Sequence, residues 1–281
     1  MTASDAIVSR SARIGWRMSP GAEAAGLAGL AAVTMMLTLV ALGVTAIGAV
    51  ARIPLVATMF GWCERLAGTV PWWIGVPATI SLAGLVAGGF RVAWRHLRAR
   101  PAKDAPGVVV VNTPRVFAYS VGGRGGQVVA SRGLLDRIEP SERKVIFAHE
   151  AAHLRLHHHR LLLLGDIAAL NPLMRPLRKR LRFALERAAD EEAVRAVRDR
   201  ALVARTVGRV ALLSFDASPV QALSMDGAGV VERVEALLAP DEVTFPHGAV
   251  AAGAGVTLLA GLLGLSQWAH LAQLAHHLCS I

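Results

Sequence analysis

Several side chains in the middle of this chain have the types and spacing that metal chemistry needs. His149 and His153 stand at i and i+4, so on a helix both imidazoles leave one face and can reach a single tetrahedral ion. Glu150, beside the first of them, can take a proton from water activated by that ion, the arrangement of the His-Glu-x-x-His pattern. A pattern this short also arises on ordinary polar helix faces, so a third ligand decides the matter. His159 has the spacing of a longer, three-histidine pattern, but that pattern wants glycine at a turn where this chain has Leu156. Glu186 is the better donor. With Asp190 it makes a second i, i+4 pair on the next long helix: Glu186 would complete a His₂Glu set, which favours Zn²⁺, while Asp190 would accept the other imidazole N–H of a ligand. His157, His158 and His159 read as the polar, lipid-facing end of the first helix.

These residues need elements to hold them. Pro140 can open a helix that runs to about residue 158, and Pro176 a second whose Leu177, Leu181, Ala184, Ala188 and Val194 recur at helical spacing. Between them lies an apolar stretch too short to span a bilayer, either core or a segment dipping into the membrane surface. Upstream, residues 108–111 read as a buried strand. Residues 117–121 and 127–130 read as two more around a Gly-rich turn, and 133–138 as a short helix. That turn lacks the Lys-Ser/Thr of a phosphate-binding loop.

The composition places this segment at a membrane. Of 281 residues 54% are hydrophobic and only 18% charged, with a mean hydropathy of +0.47, which excludes a disordered or disulfide-scaffold protein. Residues 24–50 and 66–90 carry no charge, and after 244 the only titratable side chains besides Cys279 are histidines. Three spanning helices are therefore expected, near 24–48, 70–92 and 247–268. The net charge of +10 is concentrated before the first span and after the second, which by the positive-inside rule makes the amino terminus and the central segment cytoplasmic and the carboxy tail external. Such flanks explain the charge without nucleic acid, and no base-reading segment is discernible. The first apolar block is too long for a cleavable signal. Cys63 and Cys279 are too few for a disulfide framework and match no zinc spacing, though the topology would put both on one side. The expected fold is a mainly α integral membrane protein with a cytoplasmic α+β domain. Residues 1–104 hold two spans, 105–243 the catalytic domain, and 244–281 the third span and tail.

The stretches AYSVGG, VVASRGLLD, FAHEAAH, NPLMRPLRKRLR and ERAADEEAV together resemble the membrane-embedded gluzincin peptidases, which include HtpX and CAAX-processing enzymes and the BlaR/MecR antirepressor type. The step Asn171-Pro172-Leu173 before a basic helix is closest to the last. The resemblance implies a zincin-like domain in a bacterial cell membrane with His149, His153 and Glu186 on zinc, Glu150 as general base and Asp190 behind a ligand. It also implies that the strand carrying Phe117, Tyr119 and Val121 lines the cleft and pairs with an extended protein substrate, such as a transcriptional repressor. Tyr119 by itself reads as a strand packing residue, and His157 is a weak oxyanion donor. The external sensor of the antirepressor peptidases is not expected in this chain, whose tail carries no S-x-x-K motif. HtpX-like quality control and a non-catalytic signalling scaffold are the alternatives, the latter disfavoured by the intact Glu150. Arg175, Arg178, Lys179, Arg180 and Arg182 suit anionic lipid headgroups or a solvated basic face.

Overall fold

The structure is a computed structural model and describes residues 19–50, 70–98, 107–123, 125–217 and 227–239. The expected third span, both cysteines and the amino-terminal basic cluster lie outside these residues. Two long helices, α1 (Pro20–Val50) and α2 (Trp72–Arg98), precede the strands β1 (Gly107–Val111), β2 (Ala118–Val121) and β3 (Gln127–Ser131). Helices α3 (Arg132–Leu135), α4 (Pro140–Arg155), α5 (His158–Ala168), α6 (Arg175–Val197), α7 (Arg200–Ala217) and α8 (Gly227–Leu238) follow, with a 3-10 turn at Pro172–Met174.

α1 and α2 are long and apolar enough to cross a membrane. Only 17% and 11% of their most apolar windows are buried by protein, unlike the core helix of a soluble domain. The chain divides into two compact units. One contains, of the described residues, 27–50, 70–97 and 163–178. The apolar stretch after α4 therefore groups with the long helices: Leu164 and Ile167 share a groove with Ala31, Met35 and Leu39, and Asp166 bonds His96 of α2 at 3.0 Å.

The other unit carries the sheet and the paired motifs. Its strand order is β1-β3-β2, with β3 parallel to β1 and antiparallel to β2. β1 is not the buried strand expected from its valines. It is an edge strand exposed along its whole length, Val108 at 55%, because among the described residues nothing covers either face. The fully buried Ser131 joins sheet to helices: its hydroxyl accepts from Leu134 N–H at 3.1 Å, capping α3, and also bonds Phe117. α3 is shorter than the 133–138 expected, and Ile138 packs instead in the turn that follows, beside Leu134, Val116 and Ile146.

Pro140 does open α4, where the Glu142 carboxylate accepts the Glu139 N–H at 2.8 Å and binds Arg209 of α7 at 3.0 Å. α4 stops at Arg155, earlier than periodicity suggests, because His157 takes a left-handed conformation (φ 55°) and the chain restarts as α5. α6 buries Leu181, Ala184, Leu185, Ala189 and Ala193 completely, and its small residues allow close approach of neighbouring helices. Val145 of α4, Ala193 of α6, Val203 and Ala204 of α7 and Leu237 of α8 form the core behind the site.

Candidate metal centre

α4 presents His149, Glu150 and His153, and α6 presents Glu186 and Asp190. The two imidazole Nε2 atoms lie 3.1 Å apart. Glu186 closes the triangle, with Oε2 3.4 Å from His149 Nε2 and Oε1 3.7 Å from His153 Nε2. A tetrahedral ion with bonds of ~2.0–2.1 Å sets its ligand atoms ~3.3 Å apart. The three distances lie near that figure, and one donor atom from each residue falls within 4.8 Å of the other two.

The surroundings orient these donors. Asp190, 2% exposed, places Oδ1 3.0 Å from His149 Nδ1. A carboxylate can only accept, so Nδ1 carries the proton and the Nε2 lone pair is turned toward the cluster. Arg233 of α8 holds Asp190 through two N–H donors at 2.7 Å each and reaches Glu186 Oε2 at 3.1 Å. His153 has its Nδ1 2.8 Å from Nδ1 of His158.

The electrostatics point the same way. Burial would lower the His149 imidazole, but Asp190 and Glu186 outweigh it and raise it to about 10. Burial lowers His153 to about 3, against the attraction of Glu186. Burial would raise the Glu186 and Asp190 carboxyls, yet His149 and Arg233 hold both below the usual carboxylate range. Two ionised carboxylates thus create a negative field at His149 that stabilises a cation, whether a proton or a divalent ion. Glu150 differs from them. Its burial pushes its carboxyl up, and a hydrogen bond with Ser120 of β2 and the nearby His149 only partly oppose this. A carboxyl raised toward neutrality suits a group that must accept and return a proton.

A cavity of about 570 Å³ opens beside this cluster, lined by His149, Glu150, Glu186 and Arg233 and by an apolar wall that includes Val145, Val207, Leu212 and Val230. From β2 it receives Ala118. Side chains alternate along a strand, so Ala118 and Ser120 face the site while Tyr119 and Val121 face away. The side chains of Phe117, Tyr119 and Val121, expected at the cleft, are accordingly not part of the cavity wall; Tyr119 is 48% exposed and packs on Phe117. The backbone edge of β2 opposite β3 carries no strand among the described residues.

The three histidines expected at a polar, lipid-facing helix end take different surroundings. His158 is not a lipid-facing residue: it is 3% exposed and turned onto His153. His159 is outside the donor cluster and packs against Gly122, where an added Cβ would meet its Nδ1 at 2.3 Å. His157 is exposed and bonds Leu154 O. Arg233 escaped sequence reasoning altogether. It lies on an unremarkable amphipathic helix, and nothing in its local pattern distinguishes it from a surface arginine.

No curated protein and no solved structure matches the chain. Residues 91–174 do match a known family, and the match takes in the sheet and α4 but ends before Glu186, Asp190 and Arg233, which the fold alone brings to the histidines. That family is Peptidase family M48, whose zinc metallopeptidases include HtpX, so the segment bearing His149, Glu150 and His153 is similar to a zinc metallopeptidase by sequence as well as by the geometry of its donors.

Proposed function

We propose that this protein is an integral membrane zinc endopeptidase that hydrolyses peptide bonds of a regulatory or membrane-associated protein. The observation that carries the reading is the convergence of His149, His153 and Glu186 beside a buried Glu150. Zinc held by these three residues supplies a Lewis acid that acidifies water toward neutral pH and polarises a carbonyl. The chain does the rest. Glu150 accepts a proton at its carboxylate and can return it to the departing amine, and Ser120 hydrogen-bonds that carboxylate. Asp190 keeps the His149 proton on Nδ1, and Arg233 keeps Asp190 ionised and in place. The apolar cavity receives a substrate side chain, and the open edge of β2 suits an extended backbone.

Exposed, apolar α1 and α2 support a site held at a membrane, and the charge distribution supports a cytoplasmic one. The boundaries proposed for the spans and the catalytic segment follow the same distribution. Proteins whose cleavage relieves repression, as with the antirepressor peptidases, and damaged membrane proteins, as with HtpX, are the two substrate classes to test.

The test is elemental analysis and peptide cleavage by the detergent-purified full chain. Wild type should carry zinc near one equivalent. Glu150→Gln should retain it while turnover falls ~10²–10⁴-fold, the contribution of a positioned base. Glu186→Ala should lose most of the metal. Zinc absent from wild type, or unchanged in Glu186→Ala, would move the scaffold reading ahead, and full proteolysis by Glu150→Gln would remove the base assignment.

A further inference from the structure

The two ligand histidines are supported unequally. His149 is backed by the carboxylate of Asp190, as a metal-bound imidazole commonly is. Among the described residues no carboxylate stands at the His153 Nδ1; a second imidazole does, with the Nδ1 atoms of His153 and His158 2.8 Å apart and the rings edge to face at 4.7 Å.

A short piece of backbone makes this contact. α4 ends with Leu156 N–H bonded to Ala152 O at 2.9 Å and His157 N–H to Leu154 O at 3.1 Å. His157 then takes φ 55°, the left-handed conformation that often closes a helix and that histidine enters more readily than most residues. Its own ring nitrogen Nδ1 lies 2.9 Å from Leu154 O, which keeps that side chain on the outside of the turn. The reversal starts α5 one residue later, and its first side chain, His158, is carried inward to 3% exposure. Had α4 continued unbroken, residue 158 would stand five positions beyond His153, about 140° round the helix from it, on a different face.

We propose that His158 is a positioning residue for the metal ligand His153, accepting the His153 Nδ1–H at its own Nδ1 and so presenting the His153 Nε2 lone pair to the ion. This rests on the metal reading above. For Nε2 of His153 to bind metal, its proton must sit on Nδ1, so the neighbouring Nδ1 of His158 must be the bare nitrogen and the His158 proton must sit on Nε2. A neutral acceptor also adds no third negative charge behind the site, in contrast to Asp190.

The atom that matters is Nδ1, and that makes the proposal testable by side-chain shape. Asparagine carries its oxygen close to the position of an imidazole Nδ1, glutamine close to that of Nε2. The zinc affinity of the purified full chain would be measured by competition with a chromophoric chelator, with a melting curve for each variant to verify folding. His158→Phe should bind zinc ~10–100-fold more weakly, the usual loss when an outer partner of a ligand is removed. His158→Asn should remain close to wild type, and His158→Gln should resemble the phenylalanine variant. If His158→Phe does not fold, the ranking of Asn above Gln carries the test alone. Equal affinity of Asn and Gln, or wild-type affinity in a folded Phe variant, would reduce His158 to packing and overturn the proposal. Failure of the wild type to take up zinc would instead overturn the metal reading, and the two failures are thereby separated.

Discussion

At the scale of single residues, the site is a chain of hydrogen bonds that ends on the two imidazoles of the candidate metal triad. Arg233 holds Asp190, Asp190 holds His149, and His158 stands behind His153. Replacing Asp190 by asparagine keeps the shape but turns one of its two acceptors into a donor. That donor must point at either the His149 Nδ1–H or the Arg233 guanidinium, each itself a donor. Asp190→Asn is therefore expected to weaken zinc binding ~10–100-fold while leaving the three ligands in place, a loss that chelator competition would register. The His-Glu-x-x-His pattern and the Glu186/Asp190 pair were legible in the sequence because i, i+4 spacing is a local property of a helix. Ser120, His158 and Arg233 were not. Ser120 depends on which face of β2 meets α4, His158 on one residue with positive φ, and Arg233 on packing between elements that are far apart in the chain.

At the scale of elements, α4 and α6 supply the donors, and α7 with α8 supply the wall. Gly208 on α7 lines the cavity, and a Cβ added there meets nothing within 4 Å. A larger apolar side chain at that point would grow into the cavity instead of into the core. Gly208→Leu should therefore keep its zinc and its fold but shift cleavage away from peptides with bulky apolar side chains next to the scissile bond. Comparing cleavage of a peptide series differing only there would show it, and an unchanged preference would mean the cavity does not receive that side chain. The start of α4 was readable from Pro140, since the first helical turn tolerates proline as a matter of local chemistry, whereas the Ser131 cap of α3 came only from the structure. The exposure of β1 and the register of β2 were not, because a run of valines looks the same on an edge as in the centre, and a one-residue difference in facing reverses every side chain.

At the scale of the whole molecule, α1 and α2 are exposed and apolar over a length that can cross a membrane. α1 and α2 touch closely at one point, where a Cβ on Gly75 would lie 2.2 Å from that of Ala49, the small-residue contact common between helices in lipid. At the start of α1, Glu23 is buried with its carboxylate on Arg180 of α6 at 2.7 Å, so the acidic residue preceding the apolar run is neutralised by the helix that bears Glu186. The protein should stay in the membrane pellet after alkaline carbonate extraction and leave it only with detergent; release by carbonate would remove the membrane-spanning reading. Sequence by itself determined the apolar runs, the charge asymmetry around them and the two i, i+4 pairs, because hydropathy and helical periodicity are written within a few turns of chain. Tertiary structure decided that the two pairs converge, that an arginine on α8 joins their carboxylates, that His158 turns inward and that an apolar cavity opens beside Glu150. Each of these depends on distances between segments remote in sequence, which the packing of a core fixes and local patterns do not encode.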